Sequence, residues 1–138
     1  MTELPAQVRI REVGPRDGFQ NEPEVIASAE KVRLIELLGA TGLRRLEVTS
    51  FVRPDVVPQL SDAEEVLQAI RLPDTVSVSV LIPNERGLER ALEHRARYQE
   101  ISGFNSASET HNAKNVGRSI EESLTGLERT FARARAEG

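Results

Sequence analysis

A chain of 138 residues is long enough for one domain with one core, and its net charge of −4 lacks the basic excess that a nucleic-acid binder needs. It has no Cys, which excludes disulfides and thiolate metal sites and suits a cytoplasmic protein. No run of about 18 apolar residues is present, so no membrane-spanning helix is expected, and the opening MTELPAQ has neither the basic nor the apolar part of a secretory signal. Only 4% of the residues are aromatic, so a core has to be built from Leu, Ile, Val and Ala.

Val8 to Val13 reads as the first strand, with Val8, Ile10 and Glu12 on one face and Arg9, Arg11 and Val13 on the other. Gly14 and Pro15 stop it, because Pro has no N–H for a ladder and Gly permits a turn that other residues avoid. Arg16, Asp17, Gly18, Gln20, Asn21 and Glu22 follow at once. A cation, an anion and two amides at a strand end suit a charged ligand. The competing reading is a solvated turn with a surface ion pair, worth roughly 0–1 kcal/mol.

The first helix is predicted over Ala29–Leu38, capped by Ser28, with Val32, Ile35 and Leu38 on one face and Gly39 or Gly42 at its end. The second strand, Arg45–Thr49, sets Leu46 and Val48 against Glu47 and Thr49. After a long loop, SFVRPDVVPQ, the second helix opens at Ser61, with Glu64 at capping-box spacing and Val66, Leu67 and Ile70 on its apolar side. The third strand, Val76–Ile82, alternates Val with Ser, and Asn84 caps a short helix carrying Leu88, Ala91 and Leu92. The fourth strand is expected over Glu100–Phe104, interrupted by Gly103. A polar loop, NSASETHNAKNVGR, leads to a last helix opened by Ser119 and Glu122, with Leu124, Leu127, Phe131 and Ala134 as its buried stripe.

Strands alternating with helices imply βαβ units, right-handed connections and a parallel sheet. No Gly-x-Gly-x-x-Gly follows the first strand, so a dinucleotide-binding fold has little support. With no linker inside it, the chain reads as a single domain over 1–138.

Three stretches, GPRDGFQNE (14–22), LEVTSF (46–51) and SASETHN (106–112), occur in the order found in hydroxymethylglutaryl-CoA lyase, and the chain resembles the N-terminal half of that metal-dependent, aldolase-like family. The resemblance implies an α/β fold made of the first four βα units of a TIM (β/α)8 barrel, a half-barrel as given, since eight units take about 250 residues. Four parallel strands leave two open edges, which a homodimer or higher oligomer would cover. The implied reaction is retro-Claisen cleavage of 3-hydroxy-3-methylglutaryl-CoA to acetyl-CoA and acetoacetate, assisted by Mg²⁺ or Mn²⁺. The implied partner is therefore a small-molecule acyl-CoA, with no nucleic acid and no membrane.

Active sites of such barrels lie at the C-terminal ends of the strands. By resemblance Asp17 is a metal ligand, with a turn-forming Asp as the alternative. Glu12 lies near the metal, or forms a structural pair with an Arg. Arg16 binds substrate and stabilises the enolate oxygen, or makes a surface pair with a Glu. Glu47 is an inward carboxylate supporting the site beside the Arg, and it needs a cation or hydrogen-bond donors. Gln20, Asn21 and Ser50 match substrate-pocket positions. Lys114 and Arg118 match the loop that meets the CoA end. His111 is read as a loop hydrogen-bonding residue ahead of an acid–base role, and His94 as surface. The family's His-x-His, its Asn ligand and its Cys in a Gly-rich loop are not among these 138 residues, and ALEHRARYQEISGF departs from the more apolar passage usual before the fourth strand. Two alternatives follow: a catalytically inactive half-barrel that at most binds CoA or a partner half, and a related acyl-CoA or 2-oxo acid lyase or synthase.

Overall fold

The computed structural model describes residues 4–138. Three parallel strands, β1 (Arg45–Ser50), β2 (Ser77–Leu81) and β3 (Glu100–Ser102), lie side by side in chain order. Helix α1 (Ser28–Ala40) precedes β1, helices α2 (Ala63–Ala69) and α3 (Glu85–Leu92) form the two connections, and α4 (Glu109–Val116) and α5 (Ile120–Ala136) follow β3. Every strand pairing is parallel, as βαβ units require.

The two faces of the sheet differ in chemistry. Leu46, Val48, Val78 and Val80 join Ile35, Val66, Leu67, Leu88 and Ala91 in one apolar core. The β-branched residues sit where a pleated surface packs best. On β1 and β2, Glu47 and Ser79 occupy the alternate positions and are also buried. At the N-terminal end of the strands, Glu100 accepts from Arg45 Nη2 at 2.5 Å and from Ser77 Oγ at 2.7 Å, and it also pairs with Arg11.

The first predicted strand is reduced to one bridge. Glu12 N–H donates to the Arg45 carbonyl (3.0 Å) and Glu47 N–H donates to the Glu12 carbonyl (2.8 Å), which pairs Glu12 with Leu46. Val8 and Ile10 are exposed. Their alternation predicts a strand, but no described element covers them, and an unsupported run gains too little from burial to extend the ladder. The fourth strand shrinks to β3 for a related reason. It pairs only with β2, and at Gly103 a Cβ would stand 2.9 Å from Leu127 Cδ2 and 3.0 Å from Phe131 Cζ. The glycine admits α5 against the strand at the cost of the strand's continuation.

Helix starts were legible where the cap is local. Asn84 Oδ1 accepts the Gly87 N–H at 3.0 Å, and Ser119 and Glu122 form the full capping box. Two predicted caps are corrected. Ser28 lies inside α1 and donates from Oγ to Asp62 Oδ2 at 2.8 Å. Helix α2 begins at Ala63 rather than Ser61, and Glu64 turns to Arg90, 2.6 Å away, instead of closing a box. The cause is the buried Lys31, whose Nζ donates to Asp62 Oδ1 (2.7 Å) and to the Gln59 carbonyl (2.6 Å) and so draws the start of α2 onto α1. Helix α1 runs through Gly39, with Gly42 beyond its end. The polar loop after β3 is corrected to a helix, α4, opened by Ser108, whose Oγ accepts the His111 N–H at 3.3 Å. Leu124 is exposed, while Thr130 is buried with its hydroxyl donating to the Gly126 carbonyl.

The Arg45 hydrogen bond holds the Glu100 carboxyl below its ordinary value, with Ser77 and the charge of Arg11 helping and burial opposing. A carboxylate whose folded-state value is depressed stabilises the fold above its unfolded value, and that stability is lost as pH falls through the folded value. Urea midpoints should therefore drop as pH is taken below the ordinary carboxylate range. In Glu100→Gln the midpoint should be lower at neutral pH and change less over the same interval.

Candidate functional site

At the C-terminal end of the Glu12 bridge the chain makes one wide, π-helical turn, Gly14–Gly18. Arg16 N–H and Asp17 N–H both donate to the Val13 carbonyl, at 3.0 and 2.7 Å. Glu12 reaches forward to accept the Gly14 N–H on Oε1 at 2.6 Å, and a Cβ at position 14 would stand 2.9 Å from that oxygen, so a side chain there would push the carboxylate away. Pro15 and Phe19 are buried and pin the turn. The Lys31 ammonium lies 5.9 Å from the centre of the Phe19 ring, and Gln59 Nε2 donates to the Glu22 carbonyl at 3.0 Å. The turn is thus tied to α1 and to the segment leading into α2.

This support aims Arg16 across the ends of the strands. Its Nε donates to Glu47 Oε1 at 2.6 Å and its Nη1 to Asp17 Oδ1 at 2.7 Å. Side-chain exposure rises outward, from 4% at Glu47 to 18% at Arg16 and 55% at Asp17. A buried carboxylate is costly unless it is paired and hydrogen-bonded. Glu47 is both, because its second oxygen, Oε2, accepts from Ser102 Oγ at 2.6 Å. The guanidinium is therefore fixed on two nitrogens, while Nη2 has no acceptor among the described residues. A preorganised cation with one N–H edge unpartnered among the described residues, set beside a carboxylate, is suited to an incoming oxyanion or carboxylate.

The sequence-selected residues fall into two groups. Arg16, Asp17 and Glu47 meet, with Glu12 bracing the turn from beneath. Asn21 Nδ2 donates to the Asp17 carbonyl at 2.7 Å, and Gln20 is half-buried on the same turn. Ser50 is buried and its hydroxyl turns to the Leu81 carbonyl at 3.3 Å, within the sheet. Lys114 and His111 are exposed on α4, and Arg118 is exposed just beyond it. His94 is half-buried rather than on the surface, its ring stacked 6.5 Å from that of Phe51.

Two polar residues escape sequence reading. Ser102 closes the Glu47 pair, and the only signal for it is its place near the end of a strand facing the same side as Glu47. Asn112 is fully buried: Oδ1 accepts the Ser106 N–H at 3.3 Å, and Nδ2 donates to the Arg118 carbonyl (2.9 Å) and Ser123 Oγ (2.8 Å). It locks the α4–α5 corner, but nothing separates it from the other Asn residues in the string.

A divalent cation of the Mg²⁺ class takes about six oxygen ligands. Asp17 offers one hard carboxylate, the Glu12 carboxylate is engaged by Gly14, and no group of three His, Cys, Asp or Glu able to hold a metal occurs among the described residues. These residues do not by themselves make a metal site.

The profile of the HMGL-like family matches residues 7–138. The chain belongs to the HMGL-like family. It is 50% identical over 120 residues to the hydroxymethylglutaryl-CoA lyase YngG of Bacillus subtilis, covering 87% of this chain and 40% of that protein. It is 44% identical to the cytoplasmic 3-hydroxy-3-methylglutaryl-CoA lyase of Danio rerio, over 100% of this chain and 41% of the relative. The crystal structure of the Bacillus subtilis HMG-CoA lyase superposes with a TM-score of 0.90 at 47% identity, over 96% of this chain and 44% of that one. An HMG-CoA lyase from Acinetobacter baumannii in complex with coenzyme A and 3-methylmalate gives a TM-score of 0.87 at 35% identity, over 99% and 44%. This HMGL-like chain thus spans about two fifths of the length of the curated relatives it matches. Its fold is the leading four βα units of their barrel, unclosed, with the first strand present as the Glu12 bridge.

Removing Glu47 leaves Arg16 Nε and the Ser102 hydroxyl without their partner. Glu47→Ala should lose about 3 kcal/mol of stability in urea unfolding. A loss below about 1 kcal/mol would show that the pair is solvated rather than buried.

Proposed function

We propose that the HMGL-like chain contributes the substrate-charge side of a hydroxymethylglutaryl-CoA lyase site. The observation that carries this reading is the Arg16 guanidinium, locked by Glu47 and Asp17, with Nη2 unpartnered among the described residues. In the retro-Claisen step a base takes the proton of the tertiary hydroxyl, and that oxygen's electrons form the ketone of acetoacetate as the C2–C3 bond breaks. The bonding pair moves onto the acetyl thioester as an enolate, which is then protonated to acetyl-CoA. Negative charge collects on the thioester oxygen, where a fixed cation lowers the barrier most. Arg16 takes that role, Glu47 keeps its geometry, and Gln20 and Asn21 line the approach. Lys114 faces the CoA phosphates. Asp17, with Glu12 nearby, would hold Mg²⁺ or Mn²⁺ only together with ligands from outside the described residues.

A second reading, an inactive half-barrel that binds CoA or a partner half, is favoured by one observation. The residues needed to complete a metal site are not among those described. The outer edge of β3 has no strand beside it among the described residues, and Ile10 and Phe104 are exposed, which supports a homodimer that covers these edges. No described helix is long and apolar enough to cross a membrane, and the absence of Cys favours a cytoplasmic location.

Combined with the remaining length of the Bacillus subtilis relative and Mg²⁺, the chain should release acetoacetate from 3-hydroxy-3-methylglutaryl-CoA, and Arg16→Gln should lower kcat by about 10²–10³-fold. CoA binding by calorimetry with no turnover in that combination would establish the inactive reading instead. Light scattering of the chain alone should give the mass of a dimer or larger species, and a compact monomer would overturn the proposed oligomer.

A further inference from the structure

We infer that Ser102 is a positioning residue, acting through Glu47 on the guanidinium of Arg16. The inference rests on the reading of Arg16 as the substrate-charge residue, but its geometry stands apart from that reading. Glu47 is on β1 and Ser102 on β3, with all of β2 between them. The registers pair Glu47 with Ser79, and Leu81 with Ser102, so the Glu47–Ser102 contact is a diagonal that crosses the middle strand. The crossing is possible because Ser79, in the path, is small and buried and turns its own hydroxyl aside, to the Leu46 carbonyl at 3.2 Å.

The carboxylate therefore has one oxygen for each neighbour: Oε1 for Arg16 Nε and Oε2 for Ser102 Oγ, both at 2.6 Å. Without the Ser102 hydroxyl, Oε2 has no donor among the described residues and is buried. A buried acceptor left empty is costly, and the cheapest relief is rotation of the carboxylate. Rotation gives up the aligned Nε bond, and Arg16, still attracted to the exposed Asp17, swings toward solvent. Ser102 thus decides whether the free Nη2 edge faces the strand ends or bulk water. Being half-buried at the end of β3, it has room for this role without packing into the apolar core.

The test needs a readout that belongs to Arg16 and not to the fold as a whole. In ¹⁵N NMR of the 138-residue chain, the Arg16 Nε–H should exchange with solvent slowly. Ser102→Ala should speed that exchange at least tenfold, with the backbone spectrum otherwise preserved and urea stability read in parallel. Ser102→Thr, which restores a hydroxyl, should return exchange to within about threefold of the parent. Ser102→Cys, slightly larger and with a weaker donor, should fall between and tests the inference if the Ala variant does not fold. Arg16 exchange within twofold of the parent in folded Ser102→Ala or Ser102→Cys would overturn the inference. Since no turnover is measured, failure of the lyase reading would leave this result intact, and failure here would leave Arg16 available as the substrate residue.

Discussion

A carboxylate set inside a sheet must be matched by a cation, and in this protein the match between Glu47 and Arg16 organises the whole site. Glu47 belongs to β1 and is nearly sealed from water; Arg16 belongs to a turn reached only after the Glu12 bridge. Joining them fixes where the turn sits over the strand ends and presents Asp17 outward. The supports beneath have the same purpose: Glu12 on the Gly14 N–H, Phe19 under the Lys31 ammonium, and Gln59 on the Glu22 carbonyl. Each ties the turn to a different element, so the guanidinium is held without spending its third nitrogen.

The sheet divides its labour by face. One side is a packed aliphatic core that gives the chain its stability. The other carries two polar layers, Arg11–Arg45–Ser77–Glu100 at one end and Arg16–Glu47–Ser102 at the other. Barrel interiors are typically filled by bulky branched residues. Here charge replaces bulk, and removing one partner of such a layer leaves the other buried and unpaired. That sensitivity concentrates at the strand ends where ligands of this architecture bind.

The outer edge of β3 and the exposed Val8 and Ile10 have no strand or helix against them among the described residues. The segment before Glu12 keeps its alternating pattern yet forms no ladder, and β3 stops after three residues. Helices suffer less, because their hydrogen bonds are internal.

What the sequence determined by itself was whatever depends on near neighbours along the chain. The alternation of Val78 and Val80, the caps at Asn84 and Ser119, the βαβ order and the break at Gly14 and Pro15 that sets Arg16 and Asp17 on a turn are all set by spacings of a few residues. Tertiary structure decided everything that depends on a partner far away. Lys31 took Asp62 and with it the start of α2; Asn112 folded a polar stretch into α4 and its corner; α5 turned Leu124 out and Thr130 in. Most of all, it set a Ser two strands away against the second oxygen of Glu47. Such a contact follows from strand order and register, which no local pattern encodes, because a hydroxyl at position 102 reads the same whether it faces water or a buried carboxylate.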